Sequence, residues 1–230
     1  MPLLDHFRPP LSERRHWHSF HNAWASVISF RLNATLPPGY FAEANVQFGI
    51  EIDVATLEDA GASPVTMGWT PPRPHAELPL ELAGPVVEIH VFGRSGGPTL
   101  AGAVELVSPS NKDRPSSREA FVSKCAGYVR AGVGLVVVDV VTERPADLHR
   151  DLLQRVGAGD PGPGAELGAF AYRAVDRDGT PGLDVWAEPV ALGAPLPTLP
   201  LWLRGGLCLP VELEATYQQT CAEYRIHPAA

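Results

Sequence analysis

Lysine is nearly absent from this chain of 230 residues: Lys112 and Lys124 stand against 16 arginines. Basic charge is short as a whole, with a formal net charge of −8 and a pI near 5.4. Nucleic-acid binders draw much of their affinity from neutralising phosphates, so this balance counts against a DNA-processing role, although a local patch or a bound metal can oppose the global charge. Cysteine is scarce too. Cys125, Cys208 and Cys221 are too few and too unevenly spaced for a zinc ribbon, and their odd number argues against a disulfide framework. A reducing cytoplasm is therefore the expected setting. No run of 18 apolar residues occurs, which excludes a helical membrane span. The opening "MPLLDHFRPPL" has neither a basic nor an apolar leader region, so no signal peptide is expected. Internal repeats and low-complexity tracts are absent as well.

What is present is an ordinary globular balance, 45% hydrophobic and 19% charged, with loops promised by 24 prolines and 22 glycines. Between Ser12 and Thr35, Trp17, Phe20, Trp24, Val27, Ile28 and Leu32 recur at spacings of three and four, which predicts one amphipathic helix ended by Pro37-Pro38. The pattern then switches to period two. Ala42, Ala44, Val46 and Phe48 alternate with Glu43, Asn45 and Gln47, and a second strand spans Ile50–Leu57. Residues 59 to 84 are too rich in proline for a sheet interior and predict an ordered excursion. Val86–Phe92 and Leu100–Val107 read as a hairpin around "GRSGG". Ser116 and Glu119 have capping-box spacing for a helix over Ser117–Ala131 that buries Phe121, Val122, Cys125, Tyr128 and Val129. The β-branched run Val133–Val141 predicts a strand covered on both faces, followed by a short helix around Asp147–Val156. Beyond it, Ala169–Val175 should pair with Leu183–Glu188, and a proline-rich stretch leads to a last helix carrying Leu213, Tyr217, Cys221 and Tyr224. The expected organisation is a core over 1–156 and a hairpin-and-helix appendage over 157–230 packed on it.

The blocks "IEIDVATLE", "VELVSPSNK" and "KCAGYVRAGVGLVVVDV", with "LLDHFRPP", "LPPGYFAE" and "LPTLPLWLR", resemble the bacterial family called domain of unknown function 4058 over nearly the whole chain. The middle block is similar also to the Uma-type endonucleases, matching at Asp53-Val54, at Glu105 to Pro109, and at Lys124, Tyr128, Gly132 and Val133. The resemblance implies a restriction-endonuclease-like αβββαβ core with a mixed central sheet. It also implies a phosphodiesterase site that uses Mg²⁺ or Mn²⁺, with nucleic acid as the partner.

The residue chemistry agrees with that implication. Phosphodiester hydrolysis needs a hard cation, and Mg²⁺ keeps several waters, so one or two carboxylates suffice to hold it. Asp53 and Glu105, on neighbouring strands, are the expected metal ligands and catalytic residues, the alternative being strand carboxylates that face water, with Glu43 as a third ligand or a solvated edge residue. The pattern departs at Val107, where the endonuclease motif has lysine two residues after the acid. Lys124 is the expected replacement, the alternative being a helix-surface lysine in a salt bridge. A helix is a rigid platform, whereas Lys112 lies in a proline-flanked loop where holding a long side chain costs rotamer entropy. Asp139 is expected to be a cap or an ion-pair partner. Asn111 should hold its loop through backbone contacts. His16, His18 and His21 fit a polar helix face, although His18 and His21 are spaced to share a metal. Ser108 has no histidine at motif spacing, and no glycine-rich phosphate loop follows a strand. Three classes of function remain: a metal-dependent nuclease, a descendant of that fold that only binds, and a homo-oligomeric structural protein using its C-terminal segment as an arm.

Overall fold

The computed structural model describes residues 1–47, 51–59, 69–81, 98–159 and 167–227. They form a mixed α/β architecture in the order α1 (Leu11–Arg14), α2 (Trp17–Asn33), β1 (Tyr40–Gln47), β2 (Glu51–Glu58), β3 (Ala76–Pro79), β4 (Thr99–Leu106), α3 (Pro109–Lys112), α4 (Pro115–Arg130), β5 (Gly134–Asp139), α5 (Leu148–Arg155), β6 (Gly168–Arg177), β7 (Thr180–Pro189), β8 (Thr198–Trp202), β9 (Cys208–Glu212) and α6 (Leu213–Glu223). Seven strands make one sheet in the order β1-β2-β4-β5-β6-β7-β3, and β8 and β9 form a separate pair. All neighbours in the large sheet are antiparallel except β4 and β5, which run parallel and are joined through α4. Among the described residues, no helix is long and apolar enough to cross a membrane.

Alternation along the central strands sorts side chains to two faces. Val104, Leu106, Val136 and Val138 meet Trp24 and Ile28 of α2, Leu201 of β8 and Tyr217 of α6. Ala103, Val107, Leu135 and Val137 meet Val122 and Val129 of α4 and Leu152 of α5. Glu105 shares the parity of Ala103 and Val107, and so belongs to the α4 face.

The expected neighbours β2 and β4 do pair, in the register Val54↔Val104 and Ala55↔Ala103. Four expectations need correction. The expected single helix is split in two, a one-turn α1 over Leu11–Arg14 and the long α2 from Trp17, because Arg15 and His16 between them are extended and the polar run Ser12–His16 carries no apolar stripe to hold one continuous helix down. The helix α4 opens on Pro115 at its first position with Arg114 as the cap, which places Ser116 inside the helix rather than at its capping box. The proline-rich excursion contributes a strand after all: β3 occupies the sheet edge, where Pro79 breaks no interior ladder. The stretch before the last helix holds the β8–β9 hairpin, whose facing Pro200 and Pro210 are tolerated because a two-stranded ribbon is all edge. The β6–β7 hairpin turns through Asp178 and Gly179, both at positive φ, as a two-residue turn requires. It continues the large sheet beside β5. Strand Val86–Phe92 and its "GRSGG" turn lie outside the described residues.

Candidate functional site

The site lies where β2 and β4 stop pairing. Their last registered pair is Val54↔Val104, and Asp53 and Glu105 are the next residues on the two strands. Past this point the backbone of Leu106 is satisfied by side chains instead of by β2. Its N–H donates to Asp53 Oδ2 at 2.7 Å, and its carbonyl accepts from His21 Nε2 at 2.9 Å. The opening so created is a cleft of about 400 Å³ lined by Asp53, Glu105 and Lys124 together with Trp17, His21 and Asn111.

Glu105 is 1% exposed, and its Oε2 accepts from Lys124 Nζ at 2.7 Å. The other oxygen, Oε1, is buried without a hydrogen-bond partner among the described residues. Burial is the main influence on this carboxyl. It pushes the pKa up to about 8 against the pull of Lys124, and the charge of Asp53 adds to the rise. Burial works to lower the Lys124 ammonium, but the charge of Glu105 overcomes it and the net direction is up. The buried Tyr128 phenol beside Glu105 is pushed up by burial and by the same carboxylate.

His21 completes the set, and it was not expected there. Its Nε2 faces two acceptors, the Leu106 carbonyl and Asp53 Oδ1 at 3.4 Å, and its Nδ1 faces Asn22 Oδ1 at 3.3 Å. A ring with acceptors at both nitrogens is held as the imidazolium. Burial is the largest single influence and acts to lower the pKa, but the hydrogen bond and charge of Asp53, with Leu106 and Asn22, hold it at about 9. The sequence does contain a signal for this residue. His21 sits four after Trp17 and three before Trp24, inside the apolar stripe, and a polar residue at a buried helix position needs a partner. His16 and His18 are exposed, as a polar helix face predicts.

Asp53, Glu105 and Lys124 thus come together from β2, β4 and α4. Glu43 does not join them: it stands exposed on β1 opposite Ala55 and is not part of the cleft lining. Lys112 is also elsewhere, though for another reason than loop mobility. It ends the short helix α3, is 2% exposed, and lies 2.8 Å from Asp139 Oδ2. That contact is an ion pair by distance, while its direction leaves the ammonium short of a well-formed hydrogen bond. Asp139 is thereby the ion-pair partner its place at a strand end suggested, and its Oδ1 also accepts from Val141 N at 3.1 Å. Asn111 holds its loop as expected, its Oδ1 accepting from Ser108 N at 2.8 Å.

Among the described residues, no group of three or more His, Cys, Asp or Glu side chains is placed to hold a metal ion. The donor set in the cleft is smaller, two carboxylates, and suits a hard cation that keeps water ligands. Comparison with protein-family models, with curated proteins and with solved structures gave no match.

Proposed function

We propose that the cleft is a divalent-metal-dependent phosphodiesterase site on a restriction-endonuclease-like core, with nucleic acid as the substrate class. The observation that carries this reading is the convergence of Asp53, Glu105 and Lys124 in one cleft, with Glu105 Oε1 buried and unbonded. A buried carboxylate oxygen without a donor is costly; a cation would satisfy it, as would the neighbouring Tyr128 hydroxyl, itself buried and unbonded. The order α2, β1, β2, β4, α4, β5, with β4 and β5 parallel across α4, supports the core assignment. So does the likeness of "VELVSP" and Lys124-x3-Tyr128 to the Uma-type endonucleases.

In this reading Glu105 and Asp53 hold Mg²⁺ or Mn²⁺, and Glu43 is left out because it lies outside the cleft. The cation, when bound, neutralises the phosphate and lowers the pKa of the attacking water. Lys124, fixed on α4 beside Glu105, is aimed at charge developing on phosphate oxygens or at the water. His21 positions the Asp53 carboxylate through Oδ1 and the strand end through Leu106, and so acts through Asp53 rather than on the substrate. Hydrolysis of bis(p-nitrophenyl) phosphate and of duplex DNA with Mg²⁺ or Mn²⁺ tests the reading. Cleavage by the wild-type chain that is lost in Lys124→Ala and kept in Arg118→Gln, a partly buried α4 position outside the cleft lining, is the expected result.

One observation favours a second reading, a fold that binds without cleaving. The positive charges of His21 and Lys124 already face the carboxylates of Asp53 and Glu105, so the cleft is balanced from within. Metal-independent capture of nucleic acid without hydrolysis would select it. The arm reading has less room, since residues such as Leu199, Leu209, Leu213 and Tyr217 of the C-terminal segment are buried in the chain's own core.

A further inference from the structure

A second recess opens at the other end of the parallel strand pair. It is about 570 Å³ in volume and is bounded by the start of β5, the far half of β6 and the β8–β9 turn. Glycines shape it. A Cβ at Gly134 would collide with the backbone carbonyl of Trp202, so only glycine lets β8 lie directly on β5. Gly205 and Gly206 turn the hairpin at φ of 89° and 96°, a region other residues rarely adopt.

On the wall of this recess Arg173 lies over the Trp202 indole, its guanidinium carbon 3.6 Å from the ring centroid. Such stacking fixes the plane of the guanidinium while leaving its N–H donors unused. Among the described residues the Arg173 side chain makes no ion pair and no hydrogen bond; the ring contact is what holds it. The neighbouring acids are committed elsewhere. Asp184 is paired with Arg177, which also reaches Glu77 at 3.1 Å, and Asp176 accepts from Gly179 N at 2.7 Å. Arg204 stands exposed at the turn on the rim. Burial lowers the Arg173 pKa, with the charge of Asp184 opposing it, as expected of a cation short of a counter-ion.

We propose that this recess is a binding site for a small anionic ligand, whose carboxylate or phosphate group is taken bidentately by the fork of Arg173 with Arg204 at the rim. A stacked, half-buried guanidinium with an open edge is the geometry that planar oxyanion recognition uses. The volume exceeds what a bare anion needs and falls in the range of small-molecule pockets. The site is separate from the cleft. The recess reaches Gly134, which pairs with Gly102, and the cleft reaches Glu105, which pairs with Val137, about 10 Å further along the strands, and β8 covers the face opposite α4. The inference therefore does not depend on the phosphodiesterase reading.

The test is a ¹⁵N-correlation titration of the full chain with inorganic phosphate and, separately, with citrate, each at constant ionic strength set by chloride. Saturable shifts at the amides of Gly132, Gly134, Gly205 and Gly206 and at Arg173 Nε–H are expected. Saturation by phosphate but not citrate assigns a phosphate ligand, and the reverse assigns a carboxylate. Arg173→Gln should weaken binding about tenfold or more, while Arg118→Gln on the distant α4 surface leaves it unchanged. If Arg173→Gln fails to fold, Arg173→Lys keeps a cation over Trp202 but removes the fork, and should weaken binding severalfold. Non-saturating shifts, or equal affinity in wild type and both Arg173 variants, would overturn the proposal.

Discussion

The chain has two lysines, and each lies against a buried carboxylate: Lys112 on Asp139 at 2.8 Å, Lys124 on Glu105 at 2.7 Å. The pairs are chemically alike, and their surroundings separate them. The Lys112 side chain is 0% exposed and Asp139 has its other oxygen committed to Val141, so this pair is closed. Lys124 is 12% exposed, Glu105 keeps an unbonded oxygen, and both face a cleft that also holds Asp53 and His21. A closed pair fixes structure. An open pair faces a cleft that solvent reaches, and a ligand has access to it.

The largest expected effect separates the pairs by stability. Lys112→Met strands a buried Asp139 and should cost about 3–5 kcal/mol in urea unfolding. Lys124→Met should cost less, about 1–2 kcal/mol, because this pair borders a cleft that admits water to the carboxylate left behind. Equal losses would erase the distinction. Activity should show the reverse order. If cleavage is found, Lys124→Ala should lower kcat by about 10²–10³-fold, the scale of losing one charge-stabilising donor. His21→Gln should have a smaller effect, about tenfold, because it acts by holding Asp53. An effect of His21→Gln as large as that of Lys124→Ala would place the imidazolium on the substrate itself.

The smallest effect is in pH dependence, and it contrasts two kinds of buried histidine. His6 and His149 are lowered to about 4 by burial, against the charges of Asp5 and Asp147, and bond to the hydroxyls of Tyr217 and Tyr172. Their contribution is present above the unfolded value of 6.5 and is lost as pH falls toward 4. His21, raised to about 9, contributes fully below 6.5 and loses that as pH rises through 9. Glu105, raised to about 8, acts in the same direction over its own window, from 4.5 to 8. The thermal midpoint should therefore be highest near pH 6.5, and the alkaline fall should be shallower in His21→Gln. An unchanged alkaline limb would contradict the imidazolium assignment.

Much of this was legible in the sequence, for reasons of periodicity. The alternation through Asp53 and Glu105 gave adjacent strands, and Lys124 lies three after Phe121 and four before Tyr128, next to the stripe that packs on the sheet. What escaped depends on partners distant along the chain. His21 takes its role from Leu106, 85 residues away. Lys112 reads as a loop lysine until Asp139 and the Ser108–Asn111 lock are seen to bury it. β3 and β8 escaped because proline normally argues against strands, and only their edge positions make it tolerable.

Isothermal calorimetry with Mn²⁺ and Mg²⁺ tests the central claim most directly, on the wild-type chain, Glu105→Gln and Glu43→Gln, with circular dichroism to confirm folding. A saturable site in the wild type, kept in Glu43→Gln and lost in Glu105→Gln, is the predicted result. No saturable binding in the folded wild-type chain, or binding that survives Glu105→Gln unchanged, would contradict the account.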